Sequence, residues 1–372
     1  MYYIGLMSGT SADGIDAVLV NIDAREEITV VATHRHSYPP PVTAKVEHVI
    51  SGSTTSLHDL ARLDVELGIE FAAAAAALLH KHQVKPKHLA AIGSHGQTVG
   101  HFPEPPFPVT VQLGCPAVIA EQTGVRTVAD FRMGDMATGG QGAPLAPAFH
   151  RAAFSSDSET RVIVNIGGIA NLTLLPSDPA ATIIGFDTGP GNTLLDAWVR
   201  RERGLRYDPQ GEWAESGTVD TDLLATLLRD PYLRAAPPKS TGRERFNLGW
   251  LESLLKMHTA VSAVDVQATL TRFTARTIAD ALVALAPDTA AVYLCGGGVH
   301  NQTLVQALRN HLPGRRIADT QALGMHPDWV EAVAFAWLAH RRLHNRPGNL
   351  PSVTGARHEA VLGALWEGNG DK

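Results

Sequence analysis

Four stretches of this 372-residue chain hold residues whose types and spacing can do chemistry. Gly9-Thr10-Ser11-Ala12-Asp13-Gly14-Ile15-Asp16 reads as a hairpin turn between two buried strands. Its glycines permit close backbone approach, its hydroxyls and N–H groups suit phosphate oxygens, and Asp13 and Asp16 can hold Mg²⁺ through water. Ile15-Asp16 stands where a P-loop needs Lys and Ser/Thr, so that loop is excluded. A second turn, Asn165-Ile166-Gly167-Gly168-Ile169-Ala170-Asn171, occupies the matching place in the second half. Two such turns, one per half, can grip a triphosphate, whereas either alone reads as a plain hairpin.

The third stretch, Gly185-Phe186-Asp187-Thr188-Gly189-Pro190-Gly191-Asn192, puts a carboxylate at a strand end, as a general base must be held. Asp-Thr-Gly is also the aspartic-protease signature, but that chemistry needs two such carboxylates and no second copy exists. Fourth is Cys295-Gly296-Gly297-Gly298-Val299-His300-Asn301, a strand exit where bare backbone and a helix N-terminus suit a purine or a phosphate. Asn301 stands where a dinucleotide fingerprint needs its last glycine, which argues against a Rossmann dehydrogenase. His340 and His344 have metal-ligand spacing, yet the Arg341-Arg342 pair between them reads as a solvated helix face. No GxSxG elbow occurs.

Elements to position these residues follow from periodicity. Strands are expected at Tyr2–Met7, Asp16–Ile22 and Ile28–Tyr38, then a helix over 56–82 and a strand His88–Gly93 ending in the polar loop Ser94-His95-Gly96-Gln97. The second half repeats the order: strands Arg161–Ile166, Asn171–Leu175 and Thr182–Phe186, a helix Val266–Ala286, and a strand Ala290–Leu294. Strand, Gly turn, strand, strand, helix, strand suits a duplicated two-lobed α/β protein. The Gly/Pro-rich stretch Phe131–Pro147 reads as a hinge or cleft wall, Arg203–Asn247 as an insertion of loop and short helices, and Asp328–Leu343 as an amphipathic helix.

Composition narrows the class. Hydrophobic residues make up 44% and charged residues 18%, enough for more than one core. A net charge of −6 lacks the basic field that nucleic acid requires, so small molecules are the expected partners. Two cysteines, Cys115 and Cys295, are too few for a disulfide framework. The N-terminus lacks a secretion-signal pattern and no window reaches a membrane span, so a soluble cytoplasmic protein is expected.

Gly5-Leu6-Met7-Ser8-Gly9-Thr10-Ser11 through Asp16, Ser94 to Thr98, Asn165 to Asn171, Phe186 to Asn192 and Cys295 to Asn301 together resemble the motif set of the anhydro-N-acetylmuramic acid kinase family. The resemblance runs in order over essentially the whole chain. It implies a two-lobed actin/hexokinase-like (ribonuclease H-like) fold of duplicated βββαβ units with ATP in an interlobe cleft. It further implies opening of the 1,6-anhydro ring and phosphorylation of O6, to give N-acetylmuramic acid 6-phosphate and ADP in peptidoglycan recycling, by a homodimer.

By the same resemblance Asp187 is the general base and Glu331 a second acid. Gly9 to Asp16, with Asn165, Gly167, Gly168, Asn171, Gly296, Gly297, Gly298 and Asn301, hold the nucleotide and its Mg²⁺. Ser94, His95, Gln97, Asp130, Arg132 and Asp135 offer donors, acceptors and a cation for the sugar, Arg132 pairing its lactyl carboxylate. The N-terminal lobe is expected at 1–134 plus 345–372 and the C-terminal lobe at 135–344. Another sugar or carboxylate kinase of the superfamily, and a nucleotide-switched actin- or chaperone-like protein, remain alternatives.

Overall fold

A computed structural model describes all residues except Thr10, Ser11, Asp13, Asp288, Ala290 and 370–372. Its strands are β1 (Tyr2–Ser8), β2 (Gly14–Ile22), β3 (Ile28–Ser37), β4 (Leu89–Phe102), β5 (Val109–Leu113), β6 (Thr127–Ala129), β7 (Arg161–Ile166), β8 (Ile169–Leu175), β9 (Ile184–Pro190), β10 (Ala291–Cys295), β11 (Arg316–Asp319) and β12 (Ala364–Trp366). The chain divides into two compact units, 1–153 with 329–372, and 154–328.

The first unit's sheet runs β12-β6-β4-β1-β2-β3, with β5 paired to β4, and the second unit's runs β11-β10-β7-β8-β9. In each, an antiparallel meander of three strands is extended by parallel strands on the side of its first member. The expected duplication is thus present over five strands of each sheet, while β5 and β12 of the first sheet have no counterpart in the second.

Continuous apolar runs such as Ile4 to Met7 make strands buried on both faces. One face of the first sheet packs on helix Leu57–Lys81 through Leu67, Phe71 and Leu78. That helix begins where Ser56 accepts the Asp59 N–H at 3.1 Å, an N-cap with an acid in the first turn. The second unit builds its core from Val162, Val164 and Leu172 against Ile278 and Leu282. Each fully buried Leu or Phe is worth about 1.5–3 kcal/mol, so these faces fix strand register.

Helix Val330–Leu343 departs from its amphipathic reading: Ala332 to His340 are all buried. It lies with its backbone against β1 and β4, where a methyl added at Gly5 or Gly93 would overlap the carbonyls of Ala332 and Phe335. That close approach places residues 329–344 with the first unit instead of the second. His340 belongs to this buried face and is no solvated ligand; its Nδ1 lies 3.1 Å from the Tyr3 hydroxyl, and burial first, then His344, lowers its pKa to about 4.

Two further expectations change. Ser94 to Gln97 lie inside the 14-residue β4 instead of a loop, because after a bulge near Ser94 the strand continues antiparallel to β5. The stretch 131–147 is no link between units: it forms helix Phe131–Ala137 and a turn inside the first unit. The insertion 203–247, by contrast, is loop and short helices as expected, and joins a small core of Trp198, Leu227, Phe246 and Phe273. No helix among the described residues is long and apolar enough to cross a membrane.

Replacing Gly93 with Ala forces a methyl into the Phe335 backbone, and overpacking of this kind costs roughly 1–3 kcal/mol or more. We expect Gly93→Ala to lower the thermal midpoint clearly; an unchanged midpoint would show that the helix shifts freely.

Candidate active site

In the second unit the sequence motifs meet in one row across the sheet. Cys295 of β10 pairs with Asn165 of β7, Asn165 with Asn171 of β8, and Asn171 with Asp187 of β9. Strands stand about 4.8 Å apart, so the glycine exit and the carboxylate are roughly three strand spacings apart along the row.

Close backbone approach explains the glycines. At Gly296, φ is 80°, and a side chain there would strike Asn165 Oδ1 and the Ile166 backbone. Gly298 touches the Ile166 side chain, whereas a methyl on Gly297 meets nothing within 4 Å, leaving bare backbone exposed for a ligand. The carbonyls of the Gly167-Gly168 turn are taken: Gly191 N–H and Thr193 N–H donate to Gly168 O at 2.8 and 3.0 Å, and Asn192 N–H to Gly167 O at 2.9 Å. Asn165 Oδ1 and Asn171 Oδ1, one at each foot of the turn, are buried and have no partner among the described residues. A cavity of about 380 Å³ in the same unit is lined by Arg272, Gln302, Thr303 and Arg309 among others, and no residue of the row lines it.

Asn301 is engaged otherwise. Its Oδ1 accepts Leu304 N–H at 2.9 Å, so the side chain caps helix Gln302–His311 and does not point to a nucleotide.

Asp187 lies within β9 and is 6% exposed. Its Oδ2 accepts Thr241 N–H at 2.9 Å, its N–H donates to Lys239 O at 3.2 Å, and its carbonyl accepts the Tyr232 hydroxyl at 2.7 Å. All three partners come from the insertion, where sequence reading had assigned none. Lys239 is itself buried, its Nζ donating to Tyr232 O at 3.1 Å and Leu233 O at 3.4 Å. Burial lowers its pKa and the Asp187 charge opposes that shift. The only sequence signal for this clamp is the run Pro237-Pro238-Lys239-Ser240-Thr241-Gly242, and spacing does not tell what it docks on.

The first unit presents the other glycine turn, between β1 and β2. Thr10, Ser11 and Asp13 fall outside the described residues. Ala12 has φ 56° and donates its N–H to Gly9 O at 3.2 Å. The Ser8 hydroxyl lies 2.7 Å from both Gly14 O and Gln97 Oε1, and Gln97 Nε2 donates to Gly9 O at 3.2 Å. Gln97 therefore braces the turn instead of facing a sugar. Ile15 is wholly buried, so only its backbone could meet a ligand, and Asp16 Oδ1 accepts from Arg35 Nε at 2.9 Å.

Ser94, His95 and Asp130 line a second cavity of about 230 Å³, together with Gln112 and Trp366, which sequence reading missed. Trp366 arrives from the chain's end because β12 pairs with β6, a contact no local pattern announces. Ser94 Oγ is buried here with no partner among the described residues. Asp130 adopts φ 61° and burial raises its pKa. Burial, then the Arg132 charge, lowers His95 to about 3, so the ring is neutral and its Nε2 accepts Arg132 Nε–H at 3.0 Å. Arg132 Nη1 also donates to Gly142 O at 2.9 Å, which fixes the guanidinium plane.

Asp135 is the clearest reassignment. It is 0% exposed, and its oxygens accept from Gly142 N–H at 2.8 Å, Asn349 Nδ2 at 2.7 Å and Thr354 Oγ1 at 2.7 Å. Its carboxylate ties the 138–142 turn to the C-terminal segment. Glu331 stands half-buried in the first turn of its helix.

Residues 1–368 match the family model described as anhydro-N-acetylmuramic acid kinase. A relative of that description from Coxiella burnetii is 50% identical over 366 residues, covering 98% of this chain and 97% of its own. Another from Pasteurella multocida is 47% identical over 368 residues, covering 98% and 97%, and one from Shewanella oneidensis 48% over 365 residues, covering 98% of each.

If Asp135 is an anchor, Asp135→Asn leaves buried donors facing an amide and costs about 1–3 kcal/mol. We expect a lower thermal midpoint with KM values within about twofold of the parent. A KM raised tenfold or more at unchanged stability would restore a ligand contact.

Proposed function

This chain belongs to the anhydro-N-acetylmuramic acid kinase family, and from that premise we propose that it is a phosphotransferase using ATP both to open the 1,6-anhydro ring of anhydro-N-acetylmuramic acid and to phosphorylate O6. The product is N-acetylmuramic acid 6-phosphate, returned from peptidoglycan recycling in the cytoplasm, and the working form is a homodimer.

The observation that carries the reading is the row Cys295, Asn165, Asn171, Asp187, which aligns a bare glycine exit, a glycine turn and a buried carboxylate on neighbouring strands. On this reading the Gly167-Gly168 turn takes phosphate oxygens and the Gly296–Gly298 turn the adenosine. The first unit contributes the Gly9–Gly14 turn, and Ser94, His95, Asp130 and Arg132 contact the sugar. Among the described residues no group of three His, Cys, Asp or Glu could cage a metal. Mg²⁺ would be held chiefly by phosphate oxygens and water, where it would neutralise phosphate charge, and Asp16, whose Oδ1 accepts from Arg35, would meet that shell through water.

Asp187 accepts a proton from water as the water oxygen bonds to the anomeric carbon, and the bond from that carbon to O6 breaks with its electrons on O6. O6 then bonds to the γ-phosphorus as ADP leaves. A positioned base typically supplies roughly 10²–10⁴-fold, and fixed geometry and charge neutralisation supply much of the rest. His95, being neutral, accepts from Arg132 without repelling it, and the guanidinium carries further N–H donors of the kind that suit a carboxylate. Glu331 is assigned as the second acid by family resemblance.

Two outcomes are expected. Incubation with ATP, Mg²⁺ and the anhydro sugar in ¹⁸O-water should place label on the anomeric carbon of a phosphorylated product; unlabelled product, or preference for glucose or acetate, refutes the ring-opening reading. Asp187→Asn should lose at least about 10²-fold in kcat while binding nucleotide normally, and retained turnover removes the base assignment.

A further inference from the structure

The insertion that precedes helix Leu248–Leu255 has no role in the reading above, yet Tyr232, Lys239 and Thr241 within it all hydrogen-bond to Asp187. Two of them, from Tyr232 to the carbonyl and from the N–H to Lys239, fix the β9 backbone on either side of the Cα. The third aims a backbone N–H at Oδ2.

Lys239 ties the three together. Its backbone carbonyl receives the Asp187 N–H, while its ammonium binds the carbonyls of Tyr232 and Leu233 and sits 4.6 Å from the Tyr232 ring and 5.4 Å from the Phe186 ring. A buried ammonium costs several kcal/mol unless hydrogen bonds and a counter-charge offset it, so a residue kept there for packing alone would be apolar. The groups that offset it are two carbonyl dipoles, two aromatic faces and the Asp187 charge.

We propose that Tyr232, Lys239 and Thr241 are positioning residues for Asp187, fixing its backbone and the direction of its carboxylate without touching the reacting atoms. This rests on Asp187 being the base. In this role Lys239 exchanges no proton with the substrate. Among the described residues Glu244 and Arg245 also act on Tyr232, in opposite senses, and Arg245 is bonded to Asp230 at 2.7 Å. The residue opposite on β8, Asn171, is neutral.

The test compares Lys239→Met, Lys239→Arg and Tyr232→Phe with Asp187→Asn in the full chain, following kcat and KM for ATP and the anhydro sugar over about pH 5–8. Lys239→Met should lose about tenfold or more in kcat with both KM values within about twofold. Removing a cation makes the neighbouring carboxylate easier to protonate, so its acid limb should move to higher pH. Lys239→Arg should return the limb toward the parent position, and Tyr232→Phe should lower kcat with the limb unmoved.

A parent-like kcat and acid limb in Lys239→Met, or a loss confined to KM, overturns the proposal. Should melting show that Lys239→Met does not fold, Tyr232→Phe decides by the same criterion on kcat. An inactive Asp187→Asn beside parent-like clamp variants removes only the clamp, whereas an active Asp187→Asn removes the base assignment and the clamp with it.

Discussion

A carboxylate that is nearly buried keeps its charge and its direction only where donors from fixed backbone surround it. Asp187 is held by a segment about fifty residues further along the chain, whose Thr241 N–H reaches the carboxylate while the Tyr232 hydroxyl and the Lys239 carbonyl bind its backbone. The small core of Trp198, Leu227, Phe246 and Phe273 holds that segment down. Packing that looks remote from the chemistry therefore sets the geometry of the acid. Without it, β9 would be an edge strand whose unpaired groups faced water.

Glycine does the complementary task of making room. At Gly296 and Gly298 any side chain would collide with Asn165 or Ile166, so the β10 exit lies directly on the β7 turn. Gly5 and Gly93 use the same freedom for architecture, admitting a helix backbone onto a sheet. Residue type alone does not separate these uses. What separates them is the neighbour, since Gly297 alone of its run opens on space and offers backbone to a ligand.

That distinction explains what was legible in the sequence. The meanders, the long helices and the order of motifs were readable because apolar period and glycine turns are local signals. Strand β4 was cut short because Ser94, His95 and Gln97 look like loop, and only pairing with β5 and burial under Phe335 make them strand. Asp135, Gln97 and Asn301 carried the right chemistry for ligands but spend it on Thr354, Gly9 and Leu304. Trp366 and Lys239 could not be placed, since Trp366 pairs with Thr127 and the Lys239 carbonyl with the Asp187 N–H, contacts distant in sequence.

The two units share one strand order yet brace their turns by different means. In the first, side chains do it: Tyr38 donates to Ser8 at 2.9 Å, and Gln97 spans to Gly9. In the second, backbone does most of it, with Gly191, Asn192 and Thr193 N–H donating directly to the turn carbonyls, joined by one side chain, Asn192 Nδ2, which donates to Gly167 O at 3.1 Å. A side-chain brace depends on rotamers and on three residues agreeing, whereas a backbone brace persists whatever the side chains become. The duplicated plan thus leaves the first turn tunable through Ser8, Tyr38 and Gln97, while the second is set by the path of β9, the strand that also carries Asp187. Because the turn carbonyls are held by the backbone that directly follows β9, the turn and Asp187 are tied to one strand chiefly through main-chain bonds.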